Sequence, residues 1–254
     1  MKDVQSQPDL RQIPIHKVGI KDIRYPITVL DQKNKLQNTV ASINMYVDLP
    51  HHFKGTHMSR FVEILNEHHS AIHIDELGII LQRMRDSFEA ECAHVEMSFP
   101  YFIEKNAPVS GKTGLMEYQC QFWAASNASG QEIIMGIEVP LMTLCPCSKE
   151  ISDFGAHNQR GVVKLKIKTR EMIWLEELIR KVESCGSAPV YSVLKRPDEK
   201  FVTEQSYHNP KFVEDVVRDV ALSMNNDPRI EWYQASAENF ESIHNHSAYA
   251  FVEK

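Results

Sequence analysis

From Thr39 onward the chain alternates apolar and polar positions. Ala41, Ile43, Met45 and Val47 stand against Ser42, Asn44 and Tyr46, the period-two pattern of a half-buried strand. The spacing then changes to 3.6. Helices are predicted over 59–68 and 74–88, the second with Leu77, Ile80, Leu81 and Met84 on one stripe. Long strands return over 92–104, 114–125 and 132–144, with turns at Gly111 and at Asn127 to Gly130. The second half repeats this plan. Val163, Leu165 and Ile167 alternate with Lys164, Lys166 and Lys168, whose ammonium groups read as a solvated strand face. A helix over 171–182 carries Leu175, Leu178, Ile179 and Val182 on its buried side. Asn209-Pro210 reads as the N-cap and first residue of another, with Phe212, Val213, Val216, Val217 and Val220 as its stripe. Strands over 229–235 and 247–252 close the chain.

Two copies of strands, two helices and strands predict a duplicated α+β protein with antiparallel sheets. Residues 1–35 are polar, with Pro8, Pro14 and Pro26, and are expected to form an arm. The first unit is then expected over 36–129 and the second over 130–254.

Composition narrows the classes. An apolar content of 43% in 254 residues is ample for a buried core, and no apolar run approaches a membrane span. A formal charge of −6 argues against nucleic acid as the main partner. Five cysteines, an odd number, behind an N-terminus with no apolar export signal lead us to expect reduced thiols and a cytoplasmic protein.

Chemistry concentrates between Leu144 and Gly161. Cys145 and Cys147 flank Pro146, which should hold them in an extended dipeptide, with the cation Lys149 two residues on. His157 follows Cys145 by twelve residues, across a turn at Asp153-Phe154-Gly155. A thiolate and an imidazole suit zinc or a similar borderline-soft ion. A buried structural role is the bland alternative for a single cysteine. Cys92, Cys120 and Cys185 stand alone, so a four-thiolate structural site is not available. Carboxylate or further histidine would have to finish the shell, leaving room for water, as at a catalytic metal.

Three other clusters carry candidate chemistry. Lys195 to Lys200 reads either as a charged surface turn or as a carboxylate, Glu199, beside the cations Lys195 and Arg196. Glu214 reads either as half of an exposed i,i+4 pair with Arg218 or as an anchor for an amidine-like edge. His244 and His246, one residue apart, would share one face of a strand.

Several runs together resemble the prokaryotic type IB GTP cyclohydrolase I family. They are Cys145-Pro146-Cys147-Ser148-Lys149-Glu150-Ile151, Gly155-Ala156-His157-Asn158-Gln159-Arg160 and Gly55-Thr56-His57-Met58-Ser59-Arg60, with the stretches 191–200, 209–215 and 241–246. The resemblance covers nearly the whole chain from about residue 36. It implies a bimodular tunnelling fold whose sheets join into barrels on assembly, a homotetramer, and active sites at subunit interfaces. The reaction implied is conversion of GTP and water to 7,8-dihydroneopterin triphosphate and formate, entering folate biosynthesis through metal-activated water attack at purine C8.

Carried over by position, the resemblance makes Cys145, His157 and Glu199 ligands of one divalent metal (zinc, manganese or iron). It makes Cys147 a catalytic thiol, His246 with His244 the acid/base pair, and Glu214 the guanine anchor. Arg160, Lys195, Arg196 and Lys112 are candidate triphosphate cations, with Arg60 and His57 as further options. The rivals are a nitrile reductase of the same fold acting on a deazaguanine, and a non-catalytic zinc-stabilised assembly protein.

Overall fold

A computed structural model describes residue 5 and residues 7–68 and 74–254. The part of the expected arm at residues 1–4 and 6 lies outside the described residues. The chain divides into two compact units, Met1–Pro100 with Gln121–Met135, and Tyr101–Cys120 with Gly136–Lys254. A single cut at residue 130 is not what separates them. Strands 93–106, 113–127 and 130–144 are long enough to lend their two ends to different units.

The first unit opens with β1 (Ile15–Asp31) and β2 (Lys35–Leu49), an antiparallel hairpin. Residues 15–31 are therefore strand, not arm. The polar look of this stretch has a physical reason. β1 buries only Ile27, Val29 and Asp31 well, and it lies at the end of the strand order, where a proline such as Pro26 is tolerated. Two helices follow, α1 (Met58–Glu67) and α2 (Ile74–Phe88), then the first parts of β3 (Ala93–Asn106) and the last parts of β4 (Thr113–Asn127). Phe61, Ile64 and Leu65 of α1 are buried, as are Leu77, Ile80, Leu81 and Met84 of α2. The stripe read from the sequence is the stripe the core uses. The alternating row Ala41, Ile43, Met45 and Val47 on β2 is fully buried, and α2 packs against that strand.

The second unit contains most of β5 (Gly130–Leu144), then α3 (Pro146–Ile151), β6 (Asn158–Thr169), α4 (Leu175–Glu183) and the two-residue β7 (Ala188–Pro189). It ends with α5 (Arg196–His208), α6 (Val213–Asn225), β8 (Ile230–Asn239) and β9 (Ala248–Glu253). Strand order in the sheet is β1-β2-β3-β4-β5-β6-β8-β9, with β7 on β5, and every strand pairing for which the register is resolved is antiparallel. The element order ββααββ of the first repeat returns as β5, β6, α4, α6, β8 and β9. α3, β7 and α5 are insertions. This is the α+β, antiparallel architecture expected from the alternation. α6 buries Val216, Val217, Val220 and Met224 against β8 and β9.

Two sequence expectations fail locally. Asn209 is the C-cap of α5, not the N-cap of α6, which Phe212 begins. The stretch from Lys195 to Lys200 is the start of a thirteen-residue helix, not a turn.

Candidate active site

The Cys145 turn is built from its own backbone. Cys145 is extended at φ −68°, ψ 118°, as a residue before proline must be, but Pro146 then starts a helical turn. The expected extended dipeptide holds for Cys145 and fails for Cys147, which lies in α3. Proline at the first helical position has no N–H to lose and a φ already suited to the helix. The Cys145 sulfur takes the capping role, accepting the Ser148 N–H at 3.4 Å. Ser148 Oγ donates to the Cys145 carbonyl at 3.1 Å and accepts the His157 N–H at 3.2 Å. Cys145 N–H donates to the His157 carbonyl at 3.1 Å. The turn between, where Gly155 adopts φ +117°, folds His157 back onto Cys145 as the spacing predicted.

His157 is fixed at one ring nitrogen. Its Nδ1 lies 3.0 Å from Gln159 Oε1, 3.4 Å from Ser242 Oγ and 4.0 Å from Glu241 Oε2. Gln159 is buried, and its Nε2 reaches Thr143 Oγ1 at 3.0 Å and Glu241 Oε1 at 3.4 Å. Gln159 and Glu241 were quoted in the motifs without a role. Strand alternation is the signal that could have found Gln159, since it shares the inward face of β6 with Gly161 and Val163.

Cys147 is exposed, and its thiol makes no hydrogen bond among the described residues. Lys149 does not attend it. That ammonium donates to the Tyr207 carbonyl at 2.6 Å and stands 4.5 Å over the Tyr207 ring. Of the remaining thiols, Cys120 and Cys185 are buried and Cys92 is half-buried. Burial pushes Cys185 up to about 11 and raises Cys120 and Cys92 as well.

Glu199 is not brought to this turn. It lies in the first turn of α5, with Arg196 Nη1 donating to its Oε2 at 3.0 Å. Tyr207, which meets Lys149, stands eight residues later on that helix, roughly 12 Å along the axis. Among the described residues, no three His, Cys, Asp or Glu side chains gather in a way that could hold a metal. The donor chemistry of Cys145 and His157 does fit a borderline-soft ion: a sulfur that already accepts an N–H, and an imidazole anchored at Nδ1.

His244 and His246 are in the loop between β8 and β9, not on a strand, yet their rings stack at 5.1 Å with 21° between planes. Glu214 is exposed in the first turn of α6. Arg218 pairs with Asp215 at 3.4 Å, so the Glu214 carboxylate has no ion pair among the described residues. The expected i,i+4 pair with Arg218 does not form, while the exposure expected of Glu214 does hold.

The candidate triphosphate cations fall into separate places. Asp198, fully buried, accepts Val109 N–H at 2.8 Å, Ser110 N–H at 2.7 Å, Ser110 O–H at 2.6 Å and Lys195 N–H at 2.8 Å. One carboxylate thereby ties the β3–β4 hairpin that carries Lys112 to the helix start that carries Lys195 and Arg196. Arg160 is exposed on β6. Arg60 is already used: its guanidinium donates to the Ser87 carbonyl at 2.6 Å and lies over the Phe88 ring at 5.4 Å. His57 is the N-cap residue of α1.

Burial alone would raise the Asp198 carboxyl, but its four hydrogen bonds prevail and hold it well below the usual range. A depressed folded value stabilises the fold above the unfolded pKa, near ~3.9, and that stabilisation drains away as pH falls through the folded value. Asp198→Asn is therefore expected to lower Tm at pH 7, by roughly 2–4 °C for each kcal/mol of hydrogen bonding lost. The deficit should shrink towards pH 2, as read by thermal melts across that range.

The family model described as type I GTP cyclohydrolase folE2 matches residues 1–250. The chain belongs to that family. The GTP cyclohydrolase FolE2 of Geotalea uraniireducens (strain Rf4) is 58% identical over 254 residues, covering 100% of this chain and 93% of that protein. That of Syntrophotalea carbinolica is 58% identical over 253 residues, covering 100% and 95%. Among solved structures, a uricase from Bacillus fastidious superposes with a TM-score of 0.58 at 9% identity, covering 94% of this chain and 93% of that one. At that identity the likeness speaks for the fold alone, the uricase-like tunnelling fold. Membership of the FolE2 family sets aside the nitrile reductase and the zinc-stabilised assembly protein. No helix among the described residues is long and apolar enough to cross a membrane.

Proposed function

We propose that this FolE2-family chain is a type IB GTP cyclohydrolase I. It hydrolyses GTP to 7,8-dihydroneopterin triphosphate and formate, the first step of folate biosynthesis, as a homotetramer with sites at subunit interfaces. The observation that carries this reading is the Cys145–His157 turn, closed by a 3.1 Å backbone hydrogen bond, in a chain matched by the family along its length.

Cys145 and His157 would hold a divalent ion (zinc, manganese or iron), with Glu199 as the third donor. When bound, the ion supplies the Lewis acidity that makes water a nucleophile at neutral pH. For Glu199 to join, its carboxylate must leave Arg196. An exposed i,i+3 pair of this kind is worth below about 1 kcal/mol, little against ligation. The distance along α5 is the larger obstacle, and a second copy of α5 in the tetramer offers another source of the same carboxylate.

Cys147, exposed one residue beyond Pro146, is free to exchange a proton beside C8. His246 and His244, stacked in the loop between β8 and β9, serve as acid and base for opening the imidazole ring and for the later ribose rearrangement. Glu214 has an unpaired carboxylate that can accept two N–H bonds from the guanine edge. Lys112, Lys195 and Arg196, tied to one anchor by Asp198, are offered to the triphosphate together with Arg160.

Metal add-back tests the reading. Chelator-stripped protein is expected to release no formate from GTP. Zinc, manganese or iron should restore formate and a pterin that fluoresces after oxidation, in equal amounts. Absence of both products with every metal, from a folded protein, would remove the proposed reaction.

A further inference from the structure

The role of Gln159 follows from its three partners, Thr143, Glu241 and His157. A carboxylate only accepts hydrogen bonds, and an amide has one accepting and one donating end. The end of Gln159 that lies 3.4 Å from Glu241 Oε1 must therefore be the NH₂. The reverse orientation would set acceptor against acceptor in a buried place, where an unpaired group is costly. The same NH₂ donates to the fully buried Thr143 hydroxyl oxygen at 3.0 Å. Gln159 Oε1 consequently faces His157 Nδ1 at 3.0 Å, and an amide oxygen can only accept. His157 Nδ1 is thereby the protonated nitrogen, and the Ser242 hydroxyl oxygen at 3.4 Å is a second acceptor for it. A neutral imidazole with its proton on Nδ1 presents a bare lone pair at Nε2.

We propose that Gln159 is a positioning residue: held by Thr143 and Glu241, it fixes the Nδ1–H tautomer and ring orientation of His157, so that Nε2 faces the metal. The inference rests on the metal reading of the Cys145–His157 turn. It also explains why a glutamine is inward on β6, at 7% exposure, among apolar residues.

The experiment reads the tautomer directly, without activity. Long-range ¹⁵N–¹H correlation spectra of metal-free wild type above pH 7.5 should show His157 protonated at Nδ1 and bare at Nε2. Gln159→Met, similar in length but unable to accept, should shift the population towards Nε2–H. It should also weaken zinc by about 10–100-fold in competition with a chromophoric chelator. Gln159→Glu keeps an accepting oxygen at the same reach and should keep the Nδ1–H form, at a lower Tm because its second oxygen then faces Glu241 with no donor between them. Wild type protonated at Nε2, or Gln159→Met with unchanged tautomer and zinc affinity, overturns the proposal. Wild type with Nδ1–H that takes up no zinc overturns the metal reading instead, and the tautomer shift in Gln159→Met then still supports the positioning role.

Discussion

Cys147→Ala is expected to turn GTP over about 10²–10⁴-fold more slowly than wild type, with metal content and Tm unchanged. The size follows from what a positioned proton donor or acceptor contributes to a rate. The unchanged stability follows from the surroundings of this thiol: it is exposed, it caps nothing, and it makes no hydrogen bond among the described residues. Formate release per site, metal by atomic emission and a thermal melt make the comparison. Full activity in the variant would take the catalytic role from Cys147. A matching loss of metal would move it into the ligand set.

Replacement of Cys145 should act differently. Cys145→Ala is expected to hold less than about a tenth of the wild-type metal and to lose turnover in proportion, since it removes one of two adjacent donors. It also removes a helix cap, because the sulfur accepts the Ser148 N–H. A lost cap costs about 1 kcal/mol, or roughly 2–4 °C in Tm for a chain of this length. Cys145→Ser separates the two effects. A hydroxyl caps well but is a poor ligand for a soft ion, so the serine variant should recover the metal-free Tm without recovering metal. Metal retained in both variants would reassign the ligand.

The strands were legible because their sheet is half buried, so that side chains at i and i+2 face the same solvent or the same core. β2 reads as alternation over its whole buried row. The inserted helices were not. α5 buries only Asp198, Val202 and Ser206, a single row with one apolar member, so it leaves no hydrophobic period to detect. Its remaining signals were Pro197 near the start and two acids in the first turn, which a charged turn would also show. β1 hid for a related reason: only three of its seventeen residues are buried, and Pro26 within it reads from sequence as a break although the strand runs through it.

Within the site, the Cys145–His157 approach was legible, since the turn at Asp153-Phe154-Gly155 can fold the chain back within those twelve residues. The position of Glu199 was not, because its place depends on α5. The ring stacking of His244 and His246 arises in a loop, where no sequence period applies. Gln159 escaped notice because an amide among charged and sulfur-bearing neighbours looks inert until its partners are known.

The Asp198 carboxylate has a practical consequence for anyone modifying the protein. Hairpin tips are the usual choice for inserting a tag or a reporter peptide. The tip at residues 107–112 is a poor choice here, since three of its donors end on a side chain from α5. Lengthening that loop would loosen the first turn of α5 as well, and the damage would surface at Glu199, some ninety residues away in sequence.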